Sequence, residues 1–386
     1  MNRYILSVII PTRNRQKYCL YAVKQILSHK WDNVEICIQD NSDNNSLKDD
    51  LTAIGNNNVV YNYHAGELSF VDNFSEAVSL AHGEFLCMIG DDDGILPNIM
   101  HAINDMIEQK ADAAIPELNC IYFWPSNQNI IENGDTGVLV INSPHGESLS
   151  SGRSVNHLEA FKNLLKNGIQ NYTSLEIPRL YHGIVRRGVL NSIKETAGNY
   201  FGGLTPDIYM ATALTLTCKK VIRIDYSITI SGICPTSGSS DSATGRHTGE
   251  LSIAPHFRGH TDYKWEDLVP AFYSVDTIWA DTLFHALRDF GREDLIEHYD
   301  HALFTSICIK KYPDYKQLLL NHSIKNGCTT NSVRIASIKY KIKAFAKRIK
   351  GWTRRLLSFE INKSTIKKYQ IKDIMEAEAE IEKMRR

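Results

Sequence analysis

Glu84-Phe85-Leu86-Cys87-Met88-Ile89-Gly90-Asp91-Asp92-Asp93-Gly94 sets an unbroken apolar run directly against three consecutive carboxylates. Apolar residues without polar alternation are the pattern of a short strand buried on both faces. Glycine on either side of the acids marks a loop. Adjacent carboxylates repel one another, so a fold keeps them together most readily around a cation. Hard oxygen ligands suit magnesium or manganese. Such a metal could bridge the phosphates of a nucleotide diphosphate and stabilise it as a leaving group. The plain alternative is a solvated acidic turn.

The pattern repeats upstream. Ile5 to Ile10 is apolar and β-branched, and Pro11-Thr12-Arg13-Asn14-Arg15 ends it. Leu20, Val23 and Leu27 recur at helical spacing. Val34 to Gln39 reads as a second strand ending in Asp40-Asn41-Ser42-Asp43, and Val59 to Tyr63 as a third. Phe70, Phe74, Ala77, Val78 and Ala81 form a further helical stripe. Strands alternating with helices predict an α/β fold with a mainly parallel sheet and right-handed crossovers. Ligands of such sheets sit at the carboxyl ends of the strands. Pro11 to Asn14, Asp40 and Asp91 to Asp93 should therefore converge on one crevice.

Beyond residue 113 the pattern is mixed, with a loop-like Asn142 to Ser154. Thr205-Pro206-Asp207 precedes an apolar helical stretch, Ile208 to Leu216. Asp207 reads either as an acid complementing a helix N-terminus behind a Thr205 cap, or as a general base for an acceptor hydroxyl. Arg246-His247 closes a Gly/Ser-rich segment that could fold over a donor, the arginine neutralising phosphate and the histidine touching phosphate or metal. An exposed pair without a role is the alternative.

In order and spacing, Ser7 to Arg15, Glu35 to Asp43, Asn73 to Ala77 and Ala81 to Asp93 resemble the family 2 glycosyltransferases of GT-A fold. Thr205-Pro206-Asp207-Ile208-Tyr209 resembles the acceptor-side acidic motif of their bacterial surface-polysaccharide branch. The resemblance implies a Rossmann-like catalytic domain, a nucleotide-diphosphate sugar donor (usually a UDP-sugar), and inversion at the anomeric carbon by a hexosyltransferase. It carries Pro11, Thr12, Arg13, Asn14, Asp40, Asn73, Asp91 and Asp92 to donor binding, joined by Arg246. Asp207 becomes the base. Asp92 and Asp93, with His247 as our own addition, become ligands of a manganese or magnesium ion. Asn41 stands where the family often has a second acid, and Asp72 where it often has a basic residue.

The expected organisation is a GT-A domain over 1–230, a flexible active-site loop over 231–262, a helical region over 263–330, and basic amphipathic helices over 331–386. In that last part Ile335, Ile338, Ile342, Phe345, Ile349, Trp352 and Leu356 alternate spacings of three and four among lysines and arginines. Residues 331–359 thus read as an interfacial helix for an anionic membrane, which suits a glycan or lipid-linked acceptor. The alternative is a helix packing on protein. Aromatics suited to stacking are few there, against a nucleic-acid partner. Ile371 to Met384 reads as a charged helix offering pairing with another copy.

The 386 residues carry a formal net charge of −1 and eight scattered cysteines without a C-x-x-C pair. This excludes a disulfide framework or zinc ribbon and points to reduced thiols. A signal peptide and a bilayer span are both missing from the pattern, so the expected place is cytoplasmic, peripheral on the inner face of the plasma membrane. Two other functions remain open. A nucleotidyltransferase would want a glycine-rich phosphate loop after the first strand, and residues 11–15 contain no glycine. A membrane-bound scaffold with a decayed transferase domain is the non-enzyme reading.

Overall fold

The computed structural model describes residues 4–125, 136–142, 149–236, 248–259, 263–342 and 365–385. Arg246, His247 and residues 343–359 of the amphipathic stretch lie outside them. The main sheet is built from β1 (Leu6–Thr12), β2 (Val34–Asp40), β3 (Val59–Tyr63), β4 (Phe85–Met88), β6 (Ala113–Glu117), β9 (Arg153–Ser154), β10 (Ile184–Arg186) and β11 (Val221–Ser227). Its order among the described residues is β3-β2-β1-β4-β10-β6-β11-β9. Pairing is parallel from β3 to β4 and between β6 and β11, while β10 and β9 run antiparallel to their neighbours. The expected mainly parallel α/β sheet is what forms.

Every residue of β1, β2 and β4 is buried, which explains their lack of alternation. Helices α1 (Gln16–Ser28) and α4 (Asn98–Gln109) cover one face; Cys19, Ala22, Val23 and Ile26 supply the α1 stripe. Helices α3 (Phe70–Ser79), α6 (Arg187–Ala197) and α7 (Pro206–Thr217) cover the other. Helix α7 is apolar nearly all round because it is shared. Its Ile208 and Ala211 also pack into a third cluster with Phe161, Leu283, Phe284 and Phe304 from the helices of the carboxyl-terminal half.

Pro11 does not end β1, which continues to Thr12 alongside β2. What stops at this point is the ladder to β4. Its last pair is Ile9 with Met88, the Ile89 amide donates to Ile9 O, and Pro11 has no amide to carry the pairing on. The chain is then released from the sheet at Gly90.

A second sheet has the order β15-β8-β7-β12-β5, from β5 (Gly94–Ile95), β7 (Cys120–Phe123), β8 (Gly137–Asn142), β12 (Thr229–Ile233) and β15 (Thr365–Ile371). Here the structure departs from the helical reading of 331–386. Thr365–Ile371 is an antiparallel edge strand on β8, where Ile366 and Ile371 find neighbours that a solvated helix would not give them. The helix Ile374–Arg385 follows. Within the stretch Ile371 to Met384, read as a helix for pairing with another copy, Ile374, Ala377 and Ile381 pack near Tyr18 and Tyr21 of this chain. The described part of the basic stretch, 330–342, is helical. It buries Val333 and Ala336 and leaves Ile335, Ile338 and Ile342 more than half exposed.

Candidate active site

The three strand ends do converge. Asn14, in a left-handed conformation at φ 56°, ties the loop after β1 to the loop after β2. Its amide donates to Ser42 Oγ, and its side chain exchanges hydrogen bonds with Asp43. Arg13 Nη1 donates to Asn41 Oδ1 at 2.7 Å. Asp40 is fully buried, one oxygen accepting from the Ser42 amide in an Asx turn and the other from the Tyr61 hydroxyl. Asn73 sits on α3, 7% exposed, with its Oδ1 lacking a donor among the described residues.

The acidic run lies across the end of β1, and its three carboxylates have three different environments. Asp91 accepts from Thr12 Oγ1 at 2.6 Å and from Arg15 Nε at 3.0 Å. Asp93 is held on both oxygens: Gly232 N donates to Oδ1 at 2.7 Å, while Gly90 N and the Tyr181 hydroxyl donate to Oδ2 at 2.6 and 2.9 Å. His182 Nε2 lies 3.3 Å from that same Oδ2, and its Nδ1 is 2.8 Å from Thr229 Oγ1. Burial and the nearby Arg179 hold this imidazole down at about 3, so it is neutral. Placing its single proton on Nε2 satisfies both contacts. The Cys234 amide donates to Asp92 Oδ2, and the Asp92 carbonyl accepts from Trp124 Nε1. Asp92 Oδ1 is the oxygen of the run with the loosest contact, Arg15 Nη1 at 3.9 Å.

Close packing of backbone makes this arrangement. A Cβ on Gly232 would stand 1.8 Å from the Asp92 carbonyl oxygen, and one on Gly90 would stand 2.7 Å from the Tyr181 hydroxyl. Burial pushes the carboxyls up, Asp91 to about 7 against the pull of Arg15 and Asp93 to about 6 against its backbone donors. Asp92 is raised as well, burial outweighing Arg15.

Asp207 opens α7 behind Pro206 at the first helical position, and Thr205 makes no side-chain cap bond. The Asp207 carboxyl is partly buried, and desolvation lifts it to about 6. Its charge reaches the hydroxyls of Tyr172 and Tyr181. Tyr181 thus feels the Asp207 charge while its hydroxyl donates to Asp93. Tyr181, His182, Gly232 and Cys234 come from distant segments without a local pattern and were not readable in the sequence. Arg15 ends the segment Pro11-Thr12-Arg13-Asn14-Arg15, where nothing in the local pattern sets it apart.

Among the described residues no three His, Cys, Asp or Glu side chains are grouped to hold a metal ion. Magnesium-type ions at phosphates, however, commonly take one or two carboxylates and complete their shell with phosphate oxygens and water. Asp92 Oδ1 fits that demand. Asp93 is committed to the loop, and His247 lies outside the described residues.

Residues 7–123 match the family described as Glycosyl transferase family 2. The chain is 27% identical over 113 residues to the abequosyltransferase RfbV of Salmonella typhimurium, covering 28% of this chain and 34% of that protein. It is 29% identical over 99 residues to the putative colanic acid biosynthesis glycosyl transferase WcaA of Escherichia coli K12, covering 25% of this chain and 36% of that one. The match thus spans about a third of the length of these relatives. The crystal structure of S. aureus TarS 1–349 in complex with UDP-GlcNAc is similar at 14% identity and a TM-score of 0.47, over 88% of this chain and 92% of that one. The family 2 resemblance holds over residues 7–123, and the sheet they begin is the mainly parallel α/β sheet the sequence leads one to expect.

Proposed function

We propose that this protein transfers a sugar from a nucleotide-diphosphate sugar, with UDP-sugars the first candidates, to a hydroxyl of a glycan or lipid-linked acceptor in bacterial surface polysaccharide biosynthesis. The observation that carries the reading is Tyr181, whose hydroxyl donates to Asp93 of the acidic run and whose phenol is raised in part by the charge of Asp207. It joins the family-matched segment to a carboxyl more than eighty residues beyond its end.

Pro11, Thr12, Arg13, Asn14, Asp40 and Asn73 line the nucleotide side, with Asp91 and Asp92 toward the sugar diphosphate. To Arg246 and His247, outside the described residues, we assign contacts with the diphosphate and the metal. Asp207 serves as base. A carboxylate lifted to about 6 is largely ionised at neutral pH yet basic enough to take a proton in the transition state. The acceptor oxygen attacks the anomeric carbon as Asp207 removes its proton. The bond to the diphosphate breaks on the opposite face, and the diphosphate leaves with the electron pair, so the configuration inverts. A manganese or magnesium ion, held by Asp92, would supply electrostatic stabilisation of the leaving diphosphate. Asp93 acts through its hydrogen bonds, fixing the loop that presents Asp92. We assign catalysis to 1–230 with the 231–262 loop, and membrane contact to 331–359.

Incubating the protein with a panel of nucleotide sugars and a lipid-linked saccharide, and following released nucleotide diphosphate and extended acceptor, tests the reading. Turnover of one donor supports it. Donor binding without turnover would leave a scaffold.

A further inference from the structure

Arg15 is the guanidinium that meets the acidic run. It follows the end of β1, and its fork is turned onto Asp91, Nε donating to Oδ2 at 3.0 Å and Nη2 lying 2.9 Å from Oδ1. The second contact is an ion pair without an aligned hydrogen bond, so Asp91 Oδ1 is left short of a donor. Nη1 points along the run, 3.9 Å from Asp92 Oδ1 and 3.7 Å from Cys234 Sγ. The Asp91 side chain has no exposure, while the Arg15 side chain keeps 23%. The guanidinium thus sits between a sealed carboxylate and the oxygen best placed for a metal, with one edge open to whatever enters.

A donor changes the charges on both sides of that guanidinium. Its diphosphate brings further anionic oxygens, which a planar fork can grip in the same bidentate way as a carboxylate. A cation settling on Asp92 repels Arg15 from its present place. We propose that Arg15 is a resident counter-cation, holding Asp91 and Asp92 together in the free protein and turning its fork to the donor diphosphate when it binds. Arg15 is then a donor-binding residue, and Asp91 is its resting partner rather than a metal ligand. This rests on the glycosyltransferase reading.

The test is calorimetric binding of UDP, CDP, GDP and dTDP, with the matching nucleosides, in EDTA and in manganese. The proteins are wild type, Arg15→Gln, Arg15→Lys and Asp91→Asn, each checked for its melting temperature. Loss of the fork should weaken diphosphate binding on the order of tenfold in Arg15→Gln while leaving nucleoside binding unchanged. Arg15→Lys keeps the charge without the fork, falls between the two, and serves should the glutamine variant not fold. Asp91→Asn releases the fork and should bind diphosphate more tightly in EDTA, a gain that a merely structural Arg15 would not produce. Unchanged affinity in both arginine variants, or weaker binding by Asp91→Asn in EDTA, overturns the proposal and leaves the donor reading standing. A wild type that binds none of the diphosphates overturns both.

Discussion

The Gly232 amide donates to Asp93 Oδ1 at 2.7 Å, a bond between residues 139 positions apart that fixes how the acidic run is presented. The contact needs glycine for room, since a Cβ there would overlap the Asp92 carbonyl oxygen. Gly232→Ala should therefore push the run off β12. The expected result is a stability loss of about 1–3 kcal/mol, as for other overpacked sites, together with lost metal-dependent nucleotide binding. Chemical denaturation and calorimetry on the same sample check it. Normal binding in a destabilised protein would detach the acidic run from donor recognition.

Asp207→Asn removes the proposed base while keeping shape. Transfer should fall by about 10²–10⁴-fold with donor affinity nearly unchanged. In the wild type, kcat should rise as pH passes through about 6 and level off above it, because the base works only when ionised. Steady-state rates from pH 5 to 8 test this. A flat profile would remove Asp207 from the chemistry.

Glu378 offers a pH test away from the reaction. Its carboxyl accepts from Gln25 at 2.5 Å and lies 3.3 Å from His29 Nε2. Burial pushes it from 4.5 up to about 7, with Glu382 adding to the rise and Gln25 and Arg385 opposing it. Because the folded value is the higher one, its contribution to stability is complete below the unfolded carboxylate value and is lost as pH rises through about 7. Glu378→Gln should therefore gain melting temperature relative to wild type on going from pH 5 to pH 8. A constant difference would show that Glu378 does not titrate in this range.

Ile335 and Ile338 are exposed to 52% and 57% on the helical stretch 330–342, beside Lys339 and Lys341. Changing either to aspartate should weaken binding to phosphatidylglycerol vesicles by about tenfold or more, with the fold intact. Sedimentation with such vesicles, set against neutral ones, measures it. Unaltered binding would assign this face to something other than lipid.

The parallel strands were legible because their apolar runs are short, β-branched or aromatic, and free of alternation. Once β1, β2 and β4 were read, the meeting of Thr12, Asp40 and Asp91 followed from the geometry of parallel sheets. Tyr181 and His182 were not legible. They are an ordinary pair in a mixed segment, and they matter only because β10 brings its chain to β4. The separate duties of Asp91, Asp92 and Asp93 were equally hidden. Identical side chains in a row differ only in what distant backbone offers them. Thr365–Ile371 misled because Lys367 and Lys368 continue the basic character of the preceding helix, while its pairing partner lies more than two hundred residues earlier.

That pairing bears on how the protein is made. Gln25 grips Ile95 through both its amide and its carbonyl, directly after the acidic run, and is itself held by Glu378. On the ribosome the family 2 segment emerges early, and Glu378 can reach Gln25 only after some 350 further residues have been added. A chain arrested at the end of β12 has the acidic run and Asp207 but lacks the wedge of Ile374 against Gly94. Synthesis thus orders events so that the helix Ile374–Arg385 locks a loop translated long before it. A stop codon between β12 and that helix should release a protein in which the proposed donor pocket is present and unsupported.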